Sequence, residues 1–184
     1  SSDLNDRMIA KSGAKPKRTI VFIGFAGEEF GLLGAQAWVK AHKDKLPKIA
    51  NLFNRDGGPE PPVGISVPQA MYDDFVKISE PIQKIRPDYP FEVKVREPRK
   101  RPTRMGGTDA SVFAIEGVPT LGFTTEDFKG YDFDYGEIWH TERDLYTKNI
   151  PEYQEHTATV TAIIALGVAN LDKQLSREGL YTEE

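Results

Sequence analysis

The sequence predicts an α/β fold of three layers, with helices on both faces of a mainly parallel mixed sheet. Short apolar runs rich in β-branched and aromatic residues alternate with amphipathic segments, and acidic residues stand at glycine turns where two of those runs end. At 184 residues the chain suits one domain, 1–184, with a sizeable core.

Composition narrows the chemistry. There is no cysteine, which excludes disulfides, thiolate catalysis and cysteine-ligated zinc and leaves the redox compartment open. Any metal is then held by carboxylate and imidazole. A formal charge of -4 offers no global attraction to nucleic acid or an anionic membrane. No apolar run approaches membrane-spanning length.

Asp3 to Lys17 reads as the end of a helix followed by a Gly/Pro/Lys turn. The start has neither the pattern of a signal peptide nor that of an amino-terminal domain, so the chain is expected to begin inside a larger protein. Thr19 to Ala26 is an apolar run expected as a buried strand, ended by Gly27. Leu32, Leu33, Ala35, Ala37 and Val39 then share one helical face to about His42, which places Glu28 and Glu29 at a strand-to-helix turn. Acids in a helix's first turn are favoured by the macrodipole whatever their role. Two adjacent carboxylates repel, however, and exceed what a cap requires. One of them can bind a metal while the other acts as general base.

Ile49 to Asn54 is expected as a second strand, parallel to the first and ending at Arg55-Asp56-Gly57-Gly58. Ligands bind at the carboxyl edge of such sheets, so Glu29 and Asp56 are expected in one crevice, although an aspartate before two glycines is also a common turn device. Val63 to Val67 reads as a short strand, and Pro68 opens a helix whose stripe is Met71, Phe75 and Ile78. Pro81, Pro87 and Pro90 mark an irregular stretch before the strand Phe91 to Val95. Lys94 to Arg104 is a basic loop without interleaved aromatics, which argues against nucleic acid.

Thr108 or Asp109 is expected to cap a helix carrying Val112, Phe113 and Ile115, and Gly117-Val118-Pro119 leads into the strand Thr120 to Phe123. Glu126 to Trp139 mixes acids with aromatics and has no period, as functional loops often do. It delivers His140, four residues before Asp144, whereas His42 and His156 read as surface residues. Pro151 to about Leu175 is the last helix, with Gly167 on its buried stripe and expected close to the sheet. The charged tail after Ser176 is expected to be mobile.

Taken in order, Gly-Glu-Glu-Phe-Gly-Leu-Leu-Gly at Glu28 and Glu29, Arg-Asp-Gly-Gly at Asp56, Gly-Gly-Thr-Asp at Asp109 and His-Thr-Glu-Arg-Asp at His140 resemble the co-catalytic zinc exopeptidases. That family contains bacterial aminopeptidases and carboxypeptidase Q. The resemblance covers nearly the whole chain and implies the carboxy-terminal part of a metallopeptidase catalytic domain. It implies Glu28 as general base, Glu29 and His140 on one zinc and Asp56 on the other, with Asp109 and Asp144 on the substrate side or behind the ligands. Family members carry an earlier His-x-Asp segment and a further aspartate bridging the two metals, and neither has a counterpart here. The amino-terminal part of the fold is thus expected to be missing.

The expected function is hydrolysis of peptide bonds by an aminopeptidase or dipeptidase type of exopeptidase, with two zinc ions per complete site. The chain alone is expected to bind zinc weakly, to be inactive and to self-associate through the truncated face. A peptide is the expected partner, with no nucleic acid and no membrane; secretion or a periplasmic location is implied by the resemblance only. The aromatic loop and the basic loop are expected to flank the crevice. The alternative is a non-catalytic binding module that retains the fold. A glycosidase reading fails, because adjacent side chains at one turn do not flank a glycosidic bond at the separation of roughly 5 Å or more that such chemistry needs.

Overall fold

The structure, a computed structural model, describes residues 2–182. The first helix, α1 (Ser2–Lys11), ends in a turn through Gly13, as the sequence suggests. The run Thr19 to Ala26 then departs from expectation. It is extended but joins no strand ladder among the described residues, and Val21 and Phe22 are 64% and 42% exposed. Apolar composition suits a strand, but a strand forms only where a neighbour accepts its backbone hydrogen bonds.

Helix α2 (Leu33–Ala41) buries Ala35 and Val39, and it packs with α4 (Ala110–Ile115) around Leu46, Val112, Phe113 and Val118. Between them runs 49–54, extended yet also outside the ladder. Here the reason is local: the side-chain amide of Asn51 donates to Leu121 O at 3.2 Å and accepts from Leu121 N at 2.8 Å, replacing backbone pairing. A backbone bond from Leu52 N to Pro119 O (2.9 Å) keeps the segments adjacent. Ile49 and Leu52 face the α2/α4 core, while Ala50 and Phe53 face a second core on the other side. Helices thus lie on both sides of the extended segments.

The ladder is a small mixed sheet of three strands. In it β1 (Pro62–Val67) is central, β2 (Glu92–Val95) is parallel to it with Gly64 opposite Glu92, and β3 (Phe123–Thr125) is antiparallel with Ile65 opposite Phe123. Helix α3 (Gln69–Ile85) covers one face with the expected stripe of Met71, Phe75 and Ile78, extended by Ile82. Burying a side chain of that size contributes about 1.5–3 kcal/mol. The helix runs through Pro81 rather than stopping at it, so packing of Ile78 and Ile82 outweighs the loss of one backbone donor.

Between β3 and the last helix lies the short α5 (Tyr135–Ile138). Helix α6 (Pro151–Asn170) packs against α1, α3 and β1 and is buried almost all round, His156 included. The expectation of a surface histidine is therefore wrong: with neighbours on several sides, the helix has no free polar face at that position. Gly167 is close to α3, not to the sheet, since a Cβ there would lie 2.4 Å from Ile78 Cγ2.

The tail beyond Ser176 is docked. Leu175 and Leu180 are buried, and the Arg177 guanidinium donates to the carbonyls of Gly117 (3.2 Å), Leu46 (3.3 Å), Pro47 (3.2 Å) and Ile49 (3.1 Å). A charged tail expected to be mobile is thus held by one cation on four carbonyls. Glu183 and Glu184, the end of that tail, lie outside the described residues.

Candidate active site

Glu28 and Glu29 are presented by a tight turn. The amides of Gly31 and Leu32 both donate to Glu28 O, at 3.0 and 2.8 Å, Leu33 N reaches Gly27 O at 3.1 Å, and Leu32 takes a left-handed φ of 61° before α2 begins. The first turn of α2 contains no acid, so a macrodipole role does not account for the pair. Asp56 projects from the loop after 49–54. That loop is tied by the Arg55 guanidinium, which donates to Gly58 O at 2.5 Å and Glu60 O at 2.6 Å.

His140 follows α5, where Asp134 accepts from Gly136 N at 2.8 Å and the Thr141 hydroxyl donates to Glu137 O at 2.7 Å. Its φ of 56° is left-handed, a conformation that costs an ordinary residue about 1–3 kcal/mol and tends to occur where function requires it. The imidazole Nε2 lies 3.2 Å from Glu29 Oε1 and the ring centroid 4.7 Å from that of Trp139.

Glu28, Glu29, Asp56, His140 and Asp144 all line one open crevice of about 520 Å³, with Tyr135 and Trp139 on its wall. That volume is within the range of sites that hold small ligands. Three widely separated sequence pieces supply these side chains. Asp109 lies behind them, 7% exposed, at the start of α4; its side chain caps nothing, and Oδ1 has no hydrogen-bond partner. Thr108 is no side-chain cap either, because its hydroxyl accepts from Asn54 Nδ2.

The carboxylates act on one another. Burial raises the Glu28 carboxyl above its ordinary pKa, and the charges of Asp56, Glu29 and Asp109 push it the same way against the pull of His140. Burial, then Asp56, likewise raises Asp109. The carboxylate that meets the imidazole is Glu29, and no hydrogen bond joins Asp144 to His140. Placing Asp144 behind the histidine is not supported by these contacts.

The basic loop is elsewhere. None of residues 94–104 lines the crevice; Arg96 donates to Glu97 O and Leu180 O, and Arg101 to Ile115 O, at the end of α4 opposite Asp109. The Arg96 and Arg101 cations are taken up by backbone carbonyls, and the expectation that the basic loop flanks the crevice does not hold. Sequence reading also passed over Lys148, Asn149 and Gln154, which line the crevice from the start of α6 and the segment before it. Their only signal was position after His140.

Residues 5–164 match the family model described as Peptidase family M28. Mouse carboxypeptidase Q is 23% identical over 175 residues, covering 92% of this chain and 33% of its own length. A probable zinc metalloprotease of Pyrenophora tritici-repentis is 52% identical over 42 residues, 23% of this chain and 10% of that protein. The crystal structure of a peptidase M28 precursor from Shewanella amazonensis superposes with a TM-score of 0.71 at 25% identity, covering 94% of this chain and 36% of that one. Legionella LapA shares the fold, with a TM-score of 0.62 at 20% identity over 91% of this chain and 45% of its own. The chain spans about a third of the length of the carboxypeptidase Q relatives it matches.

Proposed function

The chain belongs to peptidase family M28, and from that premise we propose that it is the carboxy-terminal part of the catalytic domain of a zinc-dependent exopeptidase. The observation that carries the reading is the contact of His140 Nε2 with Glu29 Oε1 at 3.2 Å, in a crevice that also holds Glu28 and Asp56.

Zinc takes carboxylate and imidazole donors, and the donors present fit it in kind. In number they fall short: among the described residues no three His, Asp or Glu groups stand close enough to hold an ion. Glu29 and His140 would hold one zinc and Asp56 a second. When bound, the ions supply Lewis-acid polarisation of a water and of the scissile carbonyl.

The chain's own residues do the rest. Glu28 takes up a proton from the attacking water at its carboxylate and passes it to the leaving amine, and burial, together with the neighbouring acids, raises its pKa and makes it a stronger base. Tyr135 and Trp139 offer apolar contact to a peptide side chain. Asp109 sits behind Asp56, and Asp144 faces the crevice on the substrate side. The name of the fungal relative, a probable zinc metalloprotease, supports the choice of metal. The mouse relative's name, carboxypeptidase Q, supports an exopeptidase acting on peptides, while a secreted or periplasmic setting rests on the family resemblance of the sequence. No helix of the described residues is long and apolar enough to cross a membrane.

With this ligand set the chain alone binds zinc weakly and has no significant peptidase activity, and the full-length protein has both. The test measures hydrolysis of aminoacyl and dipeptide substrates by the full-length protein and its Glu28→Gln variant. Retained zinc with activity lost in the variant is the expected result; full activity in Glu28→Gln removes the general-base role. Peptide binding without hydrolysis by the unmodified protein would instead establish the binding module.

A further inference from the structure

His140 and Asp56 reach the crevice from separate loops, so their spacing depends on how those loops meet. They meet at Gly58. A Cβ on Gly58 would lie 2.6 Å from Cε1 and 2.8 Å from Cζ of Phe133, and 3.2 Å from Cδ2 of Tyr135, so the glycine backbone rests against the aromatic loop that leads into α5 and His140. Gly58 has no positive φ that would demand glycine. The requirement is one of space, and the ring of Phe133 sets it.

Phe133 is fixed in turn. The Asp127 carboxylate accepts from Phe133 N at 3.4 Å, from Tyr131 N at 3.0 Å and from the Tyr153 hydroxyl at 2.5 Å. Tyr153 is fully buried on α6, and its hydroxyl also accepts from Lys129 N at 3.0 Å. Lys129 Nζ is paired with Glu152 at 2.9 Å and Asp88 at 3.4 Å, which ties the same loop to α6 and to the turn before β2. On the Asp56 side, Arg55 holds Gly58 O and Glu60 O.

We propose that Asp127, Tyr153, Phe133 and Gly58 form a positioning device that sets the spacing between Asp56 and His140. Tyr153 and Asp127 anchor the aromatic loop to α6, Phe133 is its gauge, and Gly58 is the surface the gauge rests on. None of the four touches a reacting atom. The inference rests on the zinc reading above for its consequence, though not for its geometry.

The test uses amide resonances in the metal-free chain, with those of Gly57 and His140 reporting the two loops. Tyr153→Phe removes one hydroxyl and keeps the ring, and Gly58→Ala places a methyl group against Phe133. Each is expected to shift both resonances, and Gly58→Ala combined with Phe133→Leu, which lacks the ring edge, to return them toward their original positions. In the full-length protein each single variant should weaken zinc binding about tenfold, the scale found when groups supporting metal ligands are removed. The paired variant should recover it. A Gly58→Ala chain whose His140 resonance does not move, or a paired variant that recovers nothing, overturns the proposal. Coupled shifts in a protein whose unmodified form takes up no zinc would overturn the zinc reading and leave the positioning device standing.

Discussion

The imidazole of His156 stacks on the ring of Tyr89, with centroids 3.9 Å apart and planes 12° from parallel. Its Nε2 donates to Pro62 O at 3.0 Å, which places a proton on that nitrogen, and Nδ1 has no partner. Burial holds its pKa below the ordinary value, and Arg86 and Lys129 push it the same way, against the pull of Asp88 and of the Pro62 carbonyl.

The pH dependence follows from that depressed value. The unfolded chain protonates His156 first as pH falls below about 6.5, so stability is present above that pH and is lost as pH falls towards the folded-state value. Urea unfolding at stepped pH should show this loss beginning near pH 6.5. His156→Gln, which keeps a donor for Pro62 O, should show a flatter profile over the same range, and an unchanged slope would assign the loss to other groups.

Gly167→Ala should be strongly destabilising for a substitution that raises helix propensity. The added methyl group would meet Ile78 Cγ2 at 2.4 Å, and overpacking of this kind costs about 1–3 kcal/mol. Thermal unfolding measures it. Ile78→Ala in the same chain should restore part of the loss, and an additive further loss would place the strain elsewhere.

Arg177→Ala should release the tail. Four backbone carbonyls lose their shared cation, at about 1–2 kcal/mol for hydrogen bonds to a charged, partly solvated donor. Hydrogen exchange at Leu180 is expected to accelerate while that of Val160 in α6 stays slow. Equal acceleration at both would mean that the tail and the core open as one unit.

Local pattern made some of this legible. The Met71, Phe75, Ile78 stripe, Pro151 at the start of α6, and the placing of acids and a histidine after apolar runs all follow from nearest neighbours in sequence. Glu28, Glu29, Asp56 and His140 do share one crevice. Misreadings arose where a distant partner decides the outcome. Thr19 to Ala26 is apolar but has no ladder neighbour among the described residues, and Asn51 substitutes its side chain for backbone pairing. His156 reads as a surface residue and the tail carrying Arg177 as mobile until Tyr89 and four carbonyls are seen beside them. The basic loop misled for the same reason, since Arg96 and Arg101 are occupied by backbone oxygens. Asp127 and Tyr153 gave no signal because their meaning lies in each other.

The pairing of Glu29 with His140 on one zinc ion is tested most directly by a double-variant cycle. Zinc affinity is measured by chelator competition in the full-length protein, in Glu29→Gln, in His140→Ala and in the combined variant. Each single change is predicted to weaken binding at least tenfold, with a combined loss well short of the sum of the two, because removing either donor already dismantles the shared site. Unchanged affinity in either single variant, or losses that add in full, would contradict the account.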